Sequence, residues 1–252
     1  MNELDLEAAP AAPLAEILRP KTLDDVVGQA QLLGPQGRLR LMLAHGSLGS
    51  IIFWGPPGTG KTTIARLLAD AADMAFEPIS AVFDGVGELR KVFDRAAQRR
   101  LQGRHTLLFV DEVHRFNKSQ QDAFLPFVED GTIIFVGATT ENPSFELNNA
   151  LLSRCRVYKL KSLSNSDIET VINRALKNHD RGLSEKNLQF TETSLAILIS
   201  AADGDARRAL NLLEIAGDLA AETDCGKTID NSIIEQILAG DTRRFDKYGD
   251  YF

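Results

Sequence analysis

A glycine-rich octapeptide between two patterned segments constrains the fold of this chain more than any other feature. It reads Gly-Pro-Pro-Gly-Thr-Gly-Lys-Thr over residues 55–62 and fits the pattern G-x-x-x-x-G-K-[ST]. The apolar run Ile51–Trp54 before it predicts a buried strand, and the stretch Thr62–Ala72 after it predicts a helix. Glycines in such a loop let backbone N–H groups converge on phosphate oxygens at the positive end of the helix dipole. The loop therefore predicts an α/β domain that binds phosphate groups.

Four more apolar runs predict further buried strands: Phe76–Ser80, Thr106–Val110, Ile133–Val136 and Val157–Leu160. Helical patterns separate them, at the spacing of about 20–30 residues that βαβ units require. After Leu160 the chain shows no strand signal and turns to amphipathic helices of about 10–14 residues. The expected fold is a parallel sheet flanked by helices, followed by a small all-helical domain.

These patterns divide the chain into four expected segments. A tail rich in alanine, proline and acidic residues covers residues 1–13 and is expected to be flexible. The α/β nucleotide-binding domain covers 14–162, and a helical lid domain covers 163–240. Residues 241–252 end in an uncapped apolar sequence and are expected to be the start of a truncated C-terminal region.

Composition narrows the class of protein. The 252 residues carry a net charge of −7 and are 44% hydrophobic, which suffices for a core without metals or disulfides. Cys155 and Cys225 match no zinc or disulfide pattern, no apolar run approaches the roughly 18 residues that span a bilayer, and the acidic N-terminus lacks a signal-peptide pattern. We therefore expect a soluble cytoplasmic protein without a membrane partner. The net charge argues against nucleic-acid binding by bulk charge, but not against a local basic surface.

The octapeptide is a Walker A motif. Lys61 is expected to reach the β- and γ-phosphates of ATP, and the Thr62 hydroxyl to bind Mg²⁺. The alternative is an accidental glycine turn, and the register of lysine, hydroxyl, strand and helix argues against it. The residues of this segment expected to bind the nucleotide are Gly55, Pro56, Pro57, Gly58, Thr59, Gly60, Lys61, Thr62 and Thr63.

A Walker B motif lies at the end of the predicted strand Thr106–Val110, where Asp111 and Glu112 follow Val110. Asp111 is expected beside Mg²⁺, and Glu112 where it can polarise a water molecule. A strand ending in two carboxylates is a weak signal alone, but about 50 residues after a Walker A motif it indicates an NTPase that hydrolyses its nucleotide. His114 follows closely, and because no partner spacing accompanies it, a loop or capping residue is favoured over a catalytic or metal-binding one.

Together the two motifs resemble those of the AAA+ ATPases, and four further segments narrow the resemblance to the clamp-loader branch. The stretch Leu18–Gln29 is similar to the clamp-loader segment that lines the adenine pocket, which assigns that role to Arg19, Pro20, Val27 and Gly28. Gly137-Ala-Thr-Thr140 matches the sensor-1 position, which holds the attacking water or the γ-phosphate. The resemblance leaves both Thr139 and Thr140 open for that role, and we favour Thr140.

Two arginines match further clamp-loader motifs. Ser153-Arg154-Cys155 resembles the motif whose arginine reaches the γ-phosphate of a neighbouring subunit, and the segment 204–211 resembles sensor 2, with Arg207 on the γ-phosphate of its own subunit. From spacing alone, the favoured interpretation of Arg154 and Arg156 is that both are solvated charges beside an edge strand. Arg207 opens a predicted helix, where positive charge is unfavourable, and this indicates an anion nearby.

Two longer strings, residues 111–126 and 137–147, closely resemble the family of replication-associated recombination protein A, with the Werner-helicase-interacting ATPase as its eukaryotic counterpart. The resemblance covers residues 14–252. That family continues into a helical oligomerisation domain and is expected to form tetramers. Without that domain, we expect self-association of this chain to be weak or absent.

The resemblance implies a DNA-dependent ATPase that acts at stalled replication forks or recombination intermediates. The implied partners are single-stranded or forked DNA, the single-stranded DNA-binding protein and replisome components, with a nucleoid-associated location. Two alternatives stay open: a clamp-loader or branch-migration motor subunit, and an ATP-gated adaptor that binds replication proteins. Intact Lys61, Asp111 and Glu112 argue against an adaptor that cannot hydrolyse ATP.

A basic stretch suggests where DNA would bind. Residues 90–104 contain six basic residues and one acidic residue, Asp94, although the chain as a whole carries a net negative charge. In clamp loaders the helix at this position lines the DNA channel, and by resemblance Arg90, Lys91 and Arg95 would contact phosphates. The alternative is a solvated basic helix face whose charges pair with neighbouring acids.

Overall fold

The computed structural model describes residues 12–178, 183, 187–223 and 226–246, and the side chains of 221–223 and 241–246 are not described. Most of the predicted tail 1–13, Cys225 and residues 247–252 lie outside the described residues. The chain forms two compact units. The first unit consists of Pro20–Asp167 with Asp203–Asp205, and the second unit contains the rest of the described chain. The domain boundaries predicted at residues 13, 162 and 240 stay predictions.

The first unit is built on a sheet of five parallel strands. The strands are β1 (Ile51–Trp54), β2 (Ala75–Ser80), β3 (Thr106–Asp111), β4 (Ile133–Thr139) and β5 (Arg156–Lys159). They pair in the order β2-β3-β4-β1-β5. Each lies on one of the five apolar runs of the sequence. The predicted parallel sheet flanked by helices is therefore confirmed.

The helices of the first unit connect these strands. They are α2 (Ala30–Leu33), α3 (Arg38–Ala44), α4 (Lys61–Ala71), α5 (Val86–Leu101), α6 (Lys118–Asp122), α7 (Leu125–Glu129), α8 (Pro143–Glu146) and α9 (Asn149–Leu152). Single 3₁₀ turns cover Leu23–Asp25 and Val113–Arg115. Long amphipathic helices α4 and α5 make the β1–β2 and β2–β3 crossovers that parallel pairing requires.

Two apolar layers hold the sheet, because a parallel sheet is buried on both faces. On one face Ile51 and Phe53 of β1 share a buried cluster with Leu39 of α3 and with Ile64 and Leu68 of α4. On the other face a second cluster joins the alternate strand residues to α5, and its fully buried members include Ile52, Leu89, Val92, Leu108 and Phe135. Successive residues of a strand point to opposite faces, so each strand contributes to both layers.

The second unit contains helices and a small sheet. Its helices are α1 (Leu14–Ile17), α10 (Asn165–Lys177, whose first turn lies in the first unit), α11 (Glu192–Ala202), α12 (Ala206–Leu219) and α13 (Asn231–Asp246). Strands β6 (Leu188–Phe190), β7 (Ala221–Thr223) and β8 (Gly226–Ile229) pair in the order β6-β8-β7. The helical region is as predicted, whereas the sequence pattern did not indicate these strands, because three or four residues are too short to show a periodicity.

An ion-pair cluster attaches helix α5 to strand β2. The carboxylate of Glu77 accepts hydrogen bonds from Nε and Nη2 of Arg95, at 3.1 and 2.8 Å, and from Nη1 of Arg99. These bonds, with that from Arg95 the largest effect, lower the pKa of Glu77 although partial burial acts in the opposite direction. Glu77 alone therefore engages two of the six basic residues of α5 and its C-terminal loop.

Replacing Glu77 by glutamine tests this cluster. We expect Glu77→Gln to lower the free energy of unfolding by about 1–2 kcal/mol at pH 7, because two arginines lose a charged acceptor. Since the folded-state pKa lies below the ordinary value of 4.5, the stabilisation is present above that pH and is lost as the pH falls through the folded-state pKa. Urea unfolding at several pH values checks both points. A difference from wild type that is equal at pH 7 and pH 3 would contradict the account.

Candidate nucleotide site

The loop 55–60 lies between the end of β1 and the start of α4, as the octapeptide predicts. Gly58 and Gly60 have φ of +64° and +94°, in the left-handed region that favours glycine. A Cβ atom added at Gly58 would also lie 1.7 Å from Oδ1 of Asp205, which belongs to the same unit. This backbone turn therefore requires glycine at position 58 on two independent grounds.

The ammonium group of Lys61 folds back onto the loop that precedes it. Nζ donates hydrogen bonds of 2.8 Å to the carbonyl oxygens of both Gly55 and Pro56, and the residue is 8% exposed. Thr59 supports the same turn, since its hydroxyl donates to the Pro56 carbonyl at 2.9 Å. A positive charge is thus held against the loop at the first turn of α4, where an anion is stabilised by backbone N–H groups and the helix dipole.

The other predicted residues of the loop also surround this turn. Thr62 and Thr63 lie in the first turn of α4 and are half-buried, while Pro56 and Pro57 are exposed. In the part of the chain that the structure describes, no three histidine, cysteine, aspartate or glutamate side chains cluster to hold a metal. The donor set that is present, a threonine hydroxyl and one carboxylate, fits Mg²⁺, which binds few protein ligands and takes others from phosphates and water.

The carboxylates stand at the same edge of the sheet as the loop. Asp111 is the last residue of β3, which pairs with β4, and β4 pairs in turn with β1. The N–H of Gly55 donates to the carbonyl of Thr139 at 3.1 Å, so the loop begins directly beside the end of β4. Glu112 turns the chain after β3 with φ of +51°, and its N–H donates to Oδ1 of Asp111 at 3.2 Å. Parallel strands thus bring Walker A and Walker B to one edge.

Thr139 and His114 connect this edge. Thr139 is fully buried at the end of β4, and its Oγ1 lies 2.9 Å from Nδ1 of His114. The same Nδ1 lies 3.3 Å from Oε2 of Glu112. The N–H of Glu141 donates to Oγ1 of Thr139 at 3.0 Å, while Thr140 is the half-buried residue between them.

The sequence favours a loop or capping role for His114, whereas the structure places its side chain against Thr139 and Glu112 of the site. The partner of its side chain is Thr139, 25 residues further along the chain. The only local signal is that a histidine follows the carboxylate pair, and that signal does not say what the imidazole contacts. The choice of Thr140 as sensor 1 stays a prediction.

The segment predicted to line the adenine pocket has one strong anchor. The side-chain amide of Gln29 donates to the carbonyl of Lys161 at 2.7 Å and accepts from its N–H at 3.1 Å. A Cβ atom at Gly28 would lie 2.7 Å from Cδ2 of Leu163. These contacts place Gly28 against residues 161–163; Pro20 and Val27 belong to the same unit, and Gln29 is an anchor that sequence reasoning missed.

Arg19 and Arg207 belong to the second unit. Arg19 forms an ion pair with Glu16 within the N-terminal segment. Arg207 is an exposed residue in the first turn of α12. Their predicted roles at the nucleotide rest on sequence resemblance alone.

Arg154 follows α9 and is half-exposed. Its Nη1 donates to the carbonyl of Ala150 at 2.7 Å and to the hydroxyl of Ser153 at 3.1 Å, and its Nη2 pairs with Glu129. The neighbouring thiol of Cys155 is mostly buried, and burial raises its pKa to about 12. In the folded chain Arg154 is therefore held by its own surroundings, at the surface.

The predicted DNA-binding residues differ in their surroundings. Arg95 is bonded to Glu77, and Lys91 pairs with Glu88 at 2.9 Å on the surface. Arg90 is exposed, and no acidic side chain among the described residues pairs with it. The structure therefore supports a solvated, paired basic face for part of the stretch and leaves Arg90 exposed without a described acidic partner.

Comparison with known proteins agrees with this geometry. The family model "ATPase family associated with various cellular activities (AAA)" matches residues 51–163, and the model "AAA C-terminal domain" matches residues 184–252. Among solved structures, the RuvB Holliday junction branch migration motor of Thermotoga maritima aligns with a TM-score of 0.70 and 24% identity, over 89% of this chain and 73% of that one. At this identity the likeness shows the fold alone.

Curated relatives are more similar in sequence. Replication-associated recombination protein A of Haemophilus influenzae is 54% identical over 95% of this chain, and that of Escherichia coli is 50% identical over 99%. The Bacillus subtilis protein of the same name is 34% identical over 94%. The chain spans about half the length of these relatives, between 54% and 56%.

The fold and the matched models define the class, and the chain belongs to the AAA+ ATPases. Within that class, the predicted resemblance to the family of replication-associated recombination protein A is confirmed. No helix in the described part of the chain has the length and hydropathy needed to cross a bilayer.

Replacing Gly58 tests the loop conformation. We expect Gly58→Ala to weaken ATP binding at least about 10-fold, because a left-handed φ costs alanine about 1–2 kcal/mol and the added carbon meets Asp205. Binding of a fluorescent ATP analogue measures the change, and the melting temperature reports on the fold. Gly49→Ala is the matched control, since a Cβ there meets no atom within 4 Å. Equal affinities of the two variants would show that the turn does not depend on glycine 58.

Proposed function

We propose that this chain binds and hydrolyses ATP with Mg²⁺ and acts on DNA at replication or recombination intermediates. The observation that carries the proposal is that Lys61, Asp111 and Glu112 all lie at the same edge of a parallel sheet. AAA+ membership supports the hydrolysis, and the printed names of the relatives, which concern replication and recombination, support the biological setting.

Each residue of the site is proposed to have its own role in phosphoryl transfer. Lys61 and the N–H groups of the loop bind the phosphates, and Thr62 with Asp111 would hold Mg²⁺, which neutralises charge on the phosphate oxygens. Glu112 orients a water molecule and accepts its proton. Thr140, at the end of β4, is proposed to hold that water or the γ-phosphate.

As the clamp-loader resemblance implies, Arg207 is proposed to contact the γ-phosphate of its own subunit, and Arg154 is proposed to complete the site in an assembly. Arg154 would act on the nucleotide of a neighbouring copy, and its surface position is compatible with that role. To do so, its guanidinium would have to exchange Glu129 for phosphate oxygens. Partners such as the single-stranded DNA-binding protein and replisome components, and a nucleoid location, are implied by the family resemblance of the sequence and are part of the proposal.

The role of Glu112 is tested by removing its charge. We expect Glu112→Gln to bind ATP normally and to hydrolyse it at least about 100-fold more slowly, the scale of a lost general base. Lys61→Ala should instead weaken ATP binding, since it removes a charge that contacts the ground-state phosphates. Phosphate release and analogue binding separate the two effects.

Glu146→Gln is the matched control for that experiment, because it removes an exposed carboxylate from helix α8. It should hydrolyse ATP at the wild-type rate. If Glu112→Gln does the same, the hydrolytic role of Glu112 is wrong. A chain that binds ATP with no detectable hydrolysis in any variant would favour the alternative of an ATP-gated adaptor.

Support for a DNA-binding surface comes from helix α5 and the loop before it. Arg90 is exposed without an acidic partner among the described residues, and Phe83 and Val82 of the preceding loop are 88% and 52% exposed. An exposed aromatic ring and an exposed arginine on neighbouring segments are typical of surfaces that bind single strands, through base stacking and phosphate contact. Arg95 contributes less to this proposal, since Glu77 holds its guanidinium.

Salt dependence tests this surface. The double variant Arg90→Ala, Lys91→Ala should bind single-stranded DNA more weakly, with a log–log salt slope reduced by up to about 1.4, since each single-strand phosphate contact contributes about 0.7. Lys177→Ala, an exposed charge on α10, serves as the control. An unchanged slope in the double variant would assign the basic residues of α5 to a solvated face.

A clamp-loader or branch-migration motor subunit stays the alternative within the same class. The RuvB likeness, at 24% identity, supports the fold of such a motor and not its activity. An ATPase assay with single-stranded, forked and four-way DNA separates the candidates. Stimulation confined to four-way junctions would favour the motor.

A further inference from the structure

The imidazole of His114 bridges the end of β3 and the end of β4. Its Nδ1 lies 2.9 Å from Oγ1 of Thr139 and 3.3 Å from Oε2 of Glu112. The side chain of His114 is 13% exposed and that of Glu112 is 31% exposed, while Thr139 is fully buried. The contact is therefore partly shielded from solvent, which strengthens polar and electrostatic interactions within it.

The backbone at Glu112 explains how these groups meet. Glu112 has φ of +51°, a conformation that costs a non-glycine residue about 1 kcal/mol or more and persists where its surroundings hold it. The turn begins a 3₁₀ helix over Val113–Arg115, and that helix carries His114 back towards Glu112 and β4. The strained backbone conformation of Glu112 therefore coincides with a specific contact between its side chain and His114.

The partners of Nδ1 favour the tautomer in which this nitrogen carries the proton. The Glu112 carboxylate, 3.3 Å from Nδ1, can only accept, so a proton on Nδ1 makes this contact favourable. Oγ1 of Thr139 accepts from Glu141 N–H at 3.0 Å and donates to the Glu141 carbonyl at 3.4 Å, so it can also accept from Nδ1 at 2.9 Å. One ring nitrogen of His114 thus hydrogen-bonds to Thr139 and contacts Glu112.

We propose that His114 is a positioning residue for ATP hydrolysis, which holds the Glu112 carboxylate and the end of β4 in one fixed arrangement. The inference rests on the proposed hydrolytic role of Glu112. The 3.3 Å contact with Nδ1 restrains the carboxylate that orients water, and the hydrogen bond of the same nitrogen to Thr139 restrains the strand end that carries Thr140. A base oriented by a third group is a recurrent requirement of proton-transfer catalysis.

The test compares His114→Phe with His114→Asn in the full chain. Phenylalanine keeps the ring and removes the donor, so kcat should fall about 10-fold or more, while affinity for an ATP analogue and the melting temperature stay near wild type. Asparagine places an N–H near the position of Nδ1 and should restore most of the rate. Arg115→Ala, an exposed neighbour, is the matched control for changes in the turn.

A double variant distinguishes positioning from a purely structural role. If His114 acts through Glu112, then His114→Phe should slow single-turnover hydrolysis no further in a Glu112→Gln background. A full additional loss in that background would overturn the proposal, and so would a wild-type kcat for His114→Phe. A parallel fall in stability and kcat that asparagine does not rescue would also overturn it.

Thr139→Val keeps the proposal testable if His114→Phe does not fold. This variant preserves shape and removes the hydroxyl that links His114 to β4, so kcat should again fall with ATP affinity retained. An unchanged kcat would overturn the inference. Failure of the proposed function is a separate result, because then wild type and Glu112→Gln would hydrolyse ATP at the same rate, or neither would hydrolyse it.

Discussion

Backbone pairing of strand β4 with β1 on one side and β3 on the other is the constraint on which the site depends. It places Trp54 opposite Thr139 and Val110 opposite Gly137, so three strands end at nearly the same level. The loop after β1 and the carboxylates at the end of β3 therefore face one region. Because all five strands are parallel, the same edge collects every strand's C-terminal turn.

The buried layers keep that register. Successive residues of β1, such as Ile52 and Phe53, belong to different apolar clusters, so a slip of one residue would exchange the two faces. Polar contacts then refine the edge. Lys61 is bonded to loop carbonyls and His114 to Thr139, and each bond joins a charged or titratable group to backbone or strand that is already fixed.

Local patterns were sufficient to predict much of this molecule. The octapeptide defines its own turn, because glycine conformation, helix start and lysine position are all contained within residues 55–62. Each strand of the large sheet lies on an apolar run, so it can be predicted to be a strand without knowing which strands it pairs with. The placement of Asp111 at the end of β3 follows from the same pattern.

Contacts between distant residues could not be predicted in this way. His114 meets Thr139 only because β3 and β4 are neighbours in the sheet, and Arg95 meets Glu77 only because α5 crosses over β2. Both facts alter the functional account, since one adds a residue to the site and the other removes a charge from the proposed DNA surface. The short strands of the second unit were not predicted for a different reason, because three or four residues are too few to show a periodicity.

The central claim is that this edge of the sheet binds ATP. A crystal structure of the chain with Mg²⁺ and a non-hydrolysable ATP analogue tests it most directly. The account predicts phosphates against the loop 55–60, with Nζ of Lys61 moved from the carbonyls of Gly55 and Pro56 to a phosphate oxygen. It also predicts the metal between Thr62 and Asp111. An analogue bound elsewhere, or Lys61 still bonded to both carbonyls beside bound phosphates, would contradict it.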